Sequence, residues 1–324
     1  RVYQKWVNST ERPPLSVDIF SNFCLPHVAA GKRTVLLVID ALRLDQWLVI
    51  EPLLRNYNKI TRDYYFAILP TATPYARNAI FSGLFPSEIE EQIPQLWEGN
   101  NEEDDLSRNR FEHQMLEEQL KRLNVQLAAG VKYAKILDVQ ESNDVARRIN
   151  EYAAAPLAAI VLNFVDILAH SRSSINLLKE MIPNEAAFRS TTRAWFEHSA
   201  IFRALRKLAQ SGNTVIITSD HGSIRGLHGA KVIGDRETST SLRYKYGKNI
   251  KVDPKDALII RRPKDYKLPA RGVNTNYIIA KDDNYFVYPT NYHYYLNYYA
   301  DSFQHGGISL EEMVLPIVTL EPRG

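Results

Sequence analysis

Asp40, Asp166 and Asp220 each stand at the end of a short apolar run, and each is accompanied by residues able to ligate a metal or to act as a nucleophile. Val38-Ile39-Asp40 offers a carboxylate at a strand end. Pro70-Thr71-Ala72-Thr73 offers two hydroxyls where a strand gives way to a helix. In Asn163-Phe-Val-Asp166-Ile-Leu-Ala-His170, the carboxylate and the imidazole are spaced to share one helix face. Ser219-Asp220-His221-Gly222 presents adjacent ligands, and His305-Gly306-Gly307 adds an imidazole beside flexible backbone. Taken together, these side chains suffice for two four-coordinate metals with positions left for water or substrate. Cys24 is the sole cysteine, which excludes an internal disulfide and a Cys-based zinc site. Donors limited to His, Asp, Glu and hydroxyl point to zinc, manganese or magnesium. Each feature alone has a plainer reading: a strand-end Asp as a cap or turn former, a Thr before Pro as an N-cap. Their shared strand-end setting is what points to a site.

The elements that must position these residues follow from the hydrophobic pattern. Thr34–Ile39 is a continuous apolar run, as in strands covered on both faces. Further strands are expected over 64–69, stopped by Pro70, over 157–165 and over 214–218. Helices are expected over 75–84, 111–123, 144–153 and, as one long element, 185–210. The last offers Phe188, Trp195, Phe202, Leu205 and Leu208 to one face and is ended by Ser211-Gly212. Alternation of strands and helices predicts a mostly parallel, doubly wound α/β sheet. In such sheets ligands bind beyond the carboxyl ends of the strands, so Asp40, Asp166 and Asp220 should gather on one rim.

Residues 1–30, with Pro13 and Pro14, read as a lead-in packed on the core. Residues 31–222 and 301–324 form that core. Residues 223–300, rich in charge and holding Tyr292, Tyr294, Tyr295, Tyr298 and Tyr299, read as an inserted rim or cap. The tyrosines suit a packed sheet face or an interface, with base stacking as the alternative. The acidic stretch 102–105 reads as a solvated turn. His27, His113, His198 and His293 lie outside the motifs and are assigned to packing or surface, while His228, near the metal turn, stays open. The net charge of +3 on 324 residues does not demand a nucleic-acid partner. No apolar run approaches the ~18 residues of a membrane helix. The chain opens at Arg1 without a signal-like segment and reads as an excised domain of a cytoplasmic protein.

Leu69-Pro-Thr-Ala-Thr-Pro-Tyr-Ala-Arg-Asn-Ala-Ile-Phe-Ser-Gly-Leu-Phe-Pro86 resembles the nucleophile segment of the alkaline phosphatase superfamily. Ser219-Asp-His-Gly222 is similar to its metal-binding turn, and His305-Gly-Gly-Ile-Ser-Leu-Glu-Glu-Met313 to its closing histidine segment. Within the superfamily, Val38-Ile-Asp-Ala-Leu-Arg-Leu-Asp-Gln-Trp47 and Gly234-Asp-Arg-Glu-Thr-Ser239 resemble the PglZ family, and there the effector domain of PorX-type response regulators. The resemblance runs from about Leu15 onward. It implies a three-layer α/β/α sandwich with a mostly parallel sheet and an inserted region.

For the site, it implies one metal on Asp40, Thr73, Asp220 and His221, and another on Asp166, His170 and His305. The ions would be zinc, with manganese as the alternative. Thr73 rather than Thr71 would be the nucleophile. An Asn that contacts phosphate in the phosphodiesterase branch is replaced here by Ala76, so Arg77 or Asn78 is expected to take its place. Arg236 and Arg243, in the stretch after the metal turn, are expected on a rim that selects substrate, Arg236 pairing with acidic neighbours being the plainer reading. The implied activity is hydrolysis of phosphoesters, diesters before monoesters, with nucleotide or oligonucleotide substrates. The implied setting is the output of a two-component regulator with a receiver domain, linked to type IX secretion and its protein partners. From another class comes the alternative of a metal-stabilised protein-binding module without turnover.

Metal coordination would lower the pKa of the threonine hydroxyl. The helix N-terminus behind it favours an anionic phosphoryl group. Transfer to threonine and then to water inverts phosphorus twice, which predicts net retention.

Overall fold

Thr34–Ile39 (β1) has no polar face, and in the computed structural model it is buried along its whole length within a six-stranded sheet. Residues 2–97, 109–234, 241–270 and 274–323 are described. The other strands of the sheet are Asn58–Phe66 (β2), Lys132–Ile136 (β3), Leu157–Leu162 (β4), Thr214–Thr218 (β5) and Val314–Pro322 (β6). Their order is β2-β6-β5-β1-β4-β3. β1 runs parallel to both β4 and β5, and β3 parallel to β4. β6 alone is reversed, pairing antiparallel with β2 and β5.

Successive side chains of a strand point to opposite faces, and β1 feeds two cores accordingly. Leu36 and Val38 pack on one side with Tyr65, Tyr75, Phe81 and Met115. Val35, Leu37 and Ile39 pack on the other with Trp47, Phe188, Phe196 and Leu205. Helices therefore cover both faces, giving the three-layer α/β/α sandwich. Among the described residues, no helix is long and apolar enough to cross a membrane.

Several expected elements have other bounds. The run 157–165 stops being strand at Leu162, because a helix, Phe164–Ser174, begins there. Val165 is buried too, so apolarity continues across the change of structure. The expected helix 185–210 is two, Glu185–His198 and Ala200–Gln210. Ser199 leaves helical geometry between them and its Oγ accepts from Phe202 N at 3.1 Å, an N-cap inside an apolar pattern. In place of the one helix expected over 144–153 there are two, Val139–Arg147, which starts earlier and is capped by Asp138, and Ile149–Ala154. The helix expected over 75–84 is Thr73–Ser82, ended by Gly83 in the left-handed region.

Between β5 and β6 the chain builds short strands. Tyr244–Gly247, Asn276–Ala280 and Ala257–Ile260 form a three-stranded antiparallel sheet. His228–Lys231 pairs with Asn284–Val287. Ile224–Gly226 pairs antiparallel with Ser302–Gln304, so the chain leaves and re-enters the rim at one place. Part of this region has its own small core around Val232, Ile278 and Phe286, while Tyr244, Tyr277 and Ile279 join the main one.

Ser199→Ala removes the cap of the Ala200–Gln210 helix. It should cost about 1 kcal/mol of unfolding free energy, read from the urea midpoint at unchanged slope.

Candidate functional site

The sheet order places the site. β1 and β5 are adjacent and parallel, in a register that sets Val38 opposite Thr218, so Asp40 and the Ser219–His221 turn emerge side by side. β4 flanks β1 on the other side and delivers the Phe164–Ser174 helix, with Asp166 in its first turn and His170 one turn later. Because β6 is reversed, its start lies on this same rim, and the segment from His305 crosses the rim to reach it. Gly222 N donates to Glu312 O at 3.0 Å. A Cβ at Gly222 would lie 1.8 Å from Glu311 O, so only glycine permits this approach.

Two groups of donors result. Asp166, His170 and His305 form the first. His170 Nε2 lies 3.2 Å from Asp166 Oδ1 and 3.3 Å from His305 Nε2, and His305 Nε2 lies 3.6 Å from Asp166 Oδ1. Nitrogen and oxygen donors held tetrahedrally at about 2.0–2.2 Å from one ion stand roughly 3.3–3.6 Å apart. The triangle fits a divalent cation. Asp166 Oδ1 and His305 Nδ1 are buried and make no hydrogen bond. Burial foremost, with His221 beside it, lowers the His305 pKa to about 3, which keeps the ring neutral as a ligand must be.

Asp40, Asp220 and His221 form the second group, with side-chain exposures of 2%, 0% and 0%. His221 Nδ1 donates to Gly222 O at 3.0 Å, which leaves Nε2 as the bare nitrogen. Nε2 lies 3.6 Å from Asp40 Oδ1 and 3.8 Å from Asp220 Oδ2. Thr73 Oγ1 stands 3.0 Å from the same nitrogen and can donate to it. Thr73 opens a ten-residue helix, so its hydroxyl sits at the positive end of the helix dipole. Asp40 Oδ1 is buried without a hydrogen bond. Burial holds the Asp40 carboxyl well above the usual carboxylate range against the pull of Arg77. Burial also opposes ionisation of Asp220, but His221 and Arg77 together hold its pKa below that range. A cation at Oδ1 would favour the ionised form of Asp40. The Thr73, Asp40, Asp220 and His221 donors thus fit a second divalent cation.

Residues 19–320 match the family described as the BREX system PglZ alkaline phosphatase-like domain. The chain belongs to the PglZ family. No curated protein sequence matches it. Among solved structures, the PglZ fold is similar to mouse ectonucleotide pyrophosphatase/phosphodiesterase 5, an inactive threonine-to-alanine variant in complex with AMP. The TM-score is 0.55 at 12% identity, covering 90% of this chain and 88% of that one. The human protein of that name gives 0.55 at 10% identity, covering 90% and 88%. Phosphonoacetate hydrolase from Sinorhizobium meliloti 1021, in complex with phosphonoformate, gives 0.51 at 10% identity, covering 89% and 90%.

Other residues in this PglZ chain stand apart from the donors. Thr71 is buried, donates to Gly307 O at 2.8 Å and accepts from Gly306 N at 3.2 Å, so its hydroxyl is engaged in holding the His305 turn. Arg77 and Asn78, expected at the phosphate, are turned into the protein. Arg77 is fully buried against Asp40, Asp220 and Glu112. Asn78 donates to Pro74 O and accepts from Asn109. Arg243, expected on a selecting rim, is also fully buried, with both Nε and Nη2 on Glu312 at 3.0 and 2.5 Å. Arg236 and the acidic stretch 102–105 lie outside the described residues.

The tyrosines form a helix, Tyr292–Tyr299, rather than a sheet face, with Tyr294 stacked on Tyr298 and Tyr295 on Tyr299. His228 is exposed and pairs with Asp283 at 2.7 Å, and His113 stacks on Tyr133. His27 and His198 sit in the last turns of the Leu25–Ala29 and Glu185–His198 helices, and His293 contacts Tyr292. Arg172 is a residue that the pattern did not single out. Buried two positions after His170, it bonds Ile182 O at 2.7 Å and both the carbonyl and the carboxylate of Asp301. It thereby ties the His170 helix to the strand that leads into His305. Its partner comes far along the chain, so no local spacing signals it.

Gly222→Ala forces Cβ against the Glu311 carbonyl. A loss of about 1–3 kcal/mol is expected, measured by chemical denaturation, and Gly130→Ala, where a Cβ meets nothing within 4 Å, serves as the control.

Proposed function

We propose that the chain is a metal-dependent phosphoester hydrolase, acting on diesters before monoesters, with Thr73 as its nucleophile. The observation that carries this reading is the position of the Thr73 hydroxyl. It lies at a helix N-terminus, 3.0 Å from His221 Nε2, beside the Asp40–Asp220–His221 group. Asp40, Thr73, Asp220 and His221 would hold one divalent cation, and Asp166, His170 and His305 the other. Zinc suits this nitrogen and oxygen set, with manganese as the alternative. Bound cations would supply Lewis-acid polarisation and a deprotonated hydroxyl at neutral pH.

The chain's own groups do the rest. His221, fixed by its bond to Gly222 O, keeps Nε2 turned to the place that Thr73 Oγ1 also faces. The positive end of the Thr73–Ser82 helix dipole favours the anionic phosphoryl oxygens. Thr73 attacks phosphorus as the leaving oxygen departs, and water then releases the phosphoryl group from Thr73, with net retention at phosphorus.

The similarity to a pyrophosphatase/phosphodiesterase bound to AMP, inactive once a threonine is changed, favours nucleotide or oligonucleotide diesters and a threonine nucleophile. The phosphonoacetate hydrolase bound to phosphonoformate is consistent with a site for a phosphoryl-like group. The narrower reading, the output domain of a PorX-type response regulator linked to type IX secretion, rests on the Val38–Trp47 and Gly234–Ser239 segments. It requires a receiver domain in the same polypeptide, which the flanking coding sequence would reveal.

Thr73→Val should fold, keep most of its bound metal and lose kcat by about 10³-fold or more on a chromogenic phosphodiester, while Thr71→Val keeps substantial turnover. Equal turnover in Thr73→Val and the parent protein would overturn the nucleophile. Dialysis against a chelator should abolish turnover and added Zn²⁺ should restore it. Turnover that survives removal of all measured metal would count against metal dependence.

A further inference from the structure

Arg77 is fully buried on the Thr73–Ser82 helix, and its guanidinium reaches two residues of one donor group at once. Nε donates to Asp220 Oδ2 at 2.9 Å, and Nη2 bonds Asp40 Oδ2. Nη1 donates to Asn163 Oδ1 at 3.3 Å and lies 3.4 Å from Glu112 Oε1. Asp220 is gripped at its other oxygen as well, accepting from Ala41 N at 3.3 Å and His221 N at 3.1 Å. Asp40 is held only through Oδ2, and its Oδ1 is left bare towards His221.

Glu112, also fully buried, stands behind the guanidinium and is met by Lys135 at 3.5 Å and by the Tyr133 hydroxyl. The order Lys135, Glu112, Arg77, then Asp40 with Asp220 runs from the edge strand β3 to the carboxyl ends of β1 and β5. A guanidinium is a rigid planar fork, so it fixes the spacing of two carboxylates as a lysine ammonium, a point charge, does not. Neutralising buried charge would need a cation of either kind. Setting two oxygens at a fixed separation needs the fork.

We propose that Arg77 is a positioning residue, which clamps Asp40 and Asp220 so that Asp40 Oδ1 and His221 Nε2 converge on one cation. This rests on the reading of Asp40, Asp220 and His221 as a metal group. The guanidinium grips Asp40 and Asp220 directly, but it reaches the Asp166–His170–His305 group only at one remove, through Asn163 at the start of the His170 helix and through the His221–His305 ring stack, so the larger effect falls on the Asp40 group. Hydrogen-bond partners of metal ligands typically contribute 10–100-fold to metal affinity.

The test is a Zn²⁺ titration of the whole chain against a chromogenic chelator, in the parent protein, Arg77→Lys and Glu112→Gln. It is repeated in a His170→Ala background, which leaves the Asp40 group intact, and thermal unfolding checks the fold. In Arg77→Lys one of the two ions should bind about 10–100-fold more weakly and the other should be weakened distinctly less. The weakened ion should be the one that persists in His170→Ala. Glu112→Gln touches no donor and should weaken the same ion to a smaller extent. Equal weakening of both ions, or of neither, in folded Arg77→Lys overturns the proposal. Should Arg77→Lys not fold, the same outcome in Glu112→Gln overturns it. A parent protein that binds no ion overturns the metal reading, and the proposal with it.

Discussion

Two carboxylates leave adjacent parallel strands in register and must be buried side by side. Asp40 follows β1 and Asp220 follows β5, and both are removed from water. Desolvation and mutual repulsion each oppose two ionised groups in that place. The surrounding structure answers this constraint. Arg77 enters from the following helix, backbone N–H groups of Ala41 and His221 cap Asp220, and Glu112 and Lys135 balance the guanidinium in turn. The balance stays incomplete at Asp40 Oδ1, and the imidazole of His221 and the hydroxyl of Thr73 face that deficit. A cation-binding place is the physical complement of such an arrangement.

The second donor group is assembled by a different device. Asp166 and His170 come from one helix, but His305 arrives after some eighty residues of small sheets. The Ile224–Gly226 and Ser302–Gln304 pair returns the chain to its point of departure, so the long excursion does not loosen the site. Arg172 and Arg225 both bond Asp301, joining the His170 helix to that pair. The stacked rings of His221 and His305, with centroids 4.2 Å apart, then bring the two groups together.

The sequence was most legible where a local pattern carries the physics. Unbroken apolar runs marked β1 and β5, and the residues after them were the ones the sheet brings to its rim. Asp166 and His170 were legible because a four-residue step on a helix is a contact. Boundaries failed where a polar cap interrupts an apolar pattern, as at Ser199, or where a helix start is as buried as the strand before it, as at Val165. The roles of Arg77 and Arg243 were misjudged for another reason. Both were expected to face substrate as exposed cations near the motifs, yet each is buried on a carboxylate. Glu112 and Glu312, the partners that explain them, lie 35 and 69 residues away in the chain.

Solvent access separates the two donor groups chemically. The Asp40, Asp220 and His221 side chains are closed off, whereas His170 is 49% exposed and Asp166 19%. Thr73 is partly buried at the boundary between them. Among the described donors, the His170 side is the one open to water, and on the proposed reading a substrate approaches there with its phosphoryl group towards Thr73. On the proposed reading the closed group would serve the nucleophile, where low dielectric strengthens each interaction. The open group would meet the leaving oxygen and the water that follows. Selectivity must then lie among groups lining the open side, since Arg243 and Arg77 are both turned away from it.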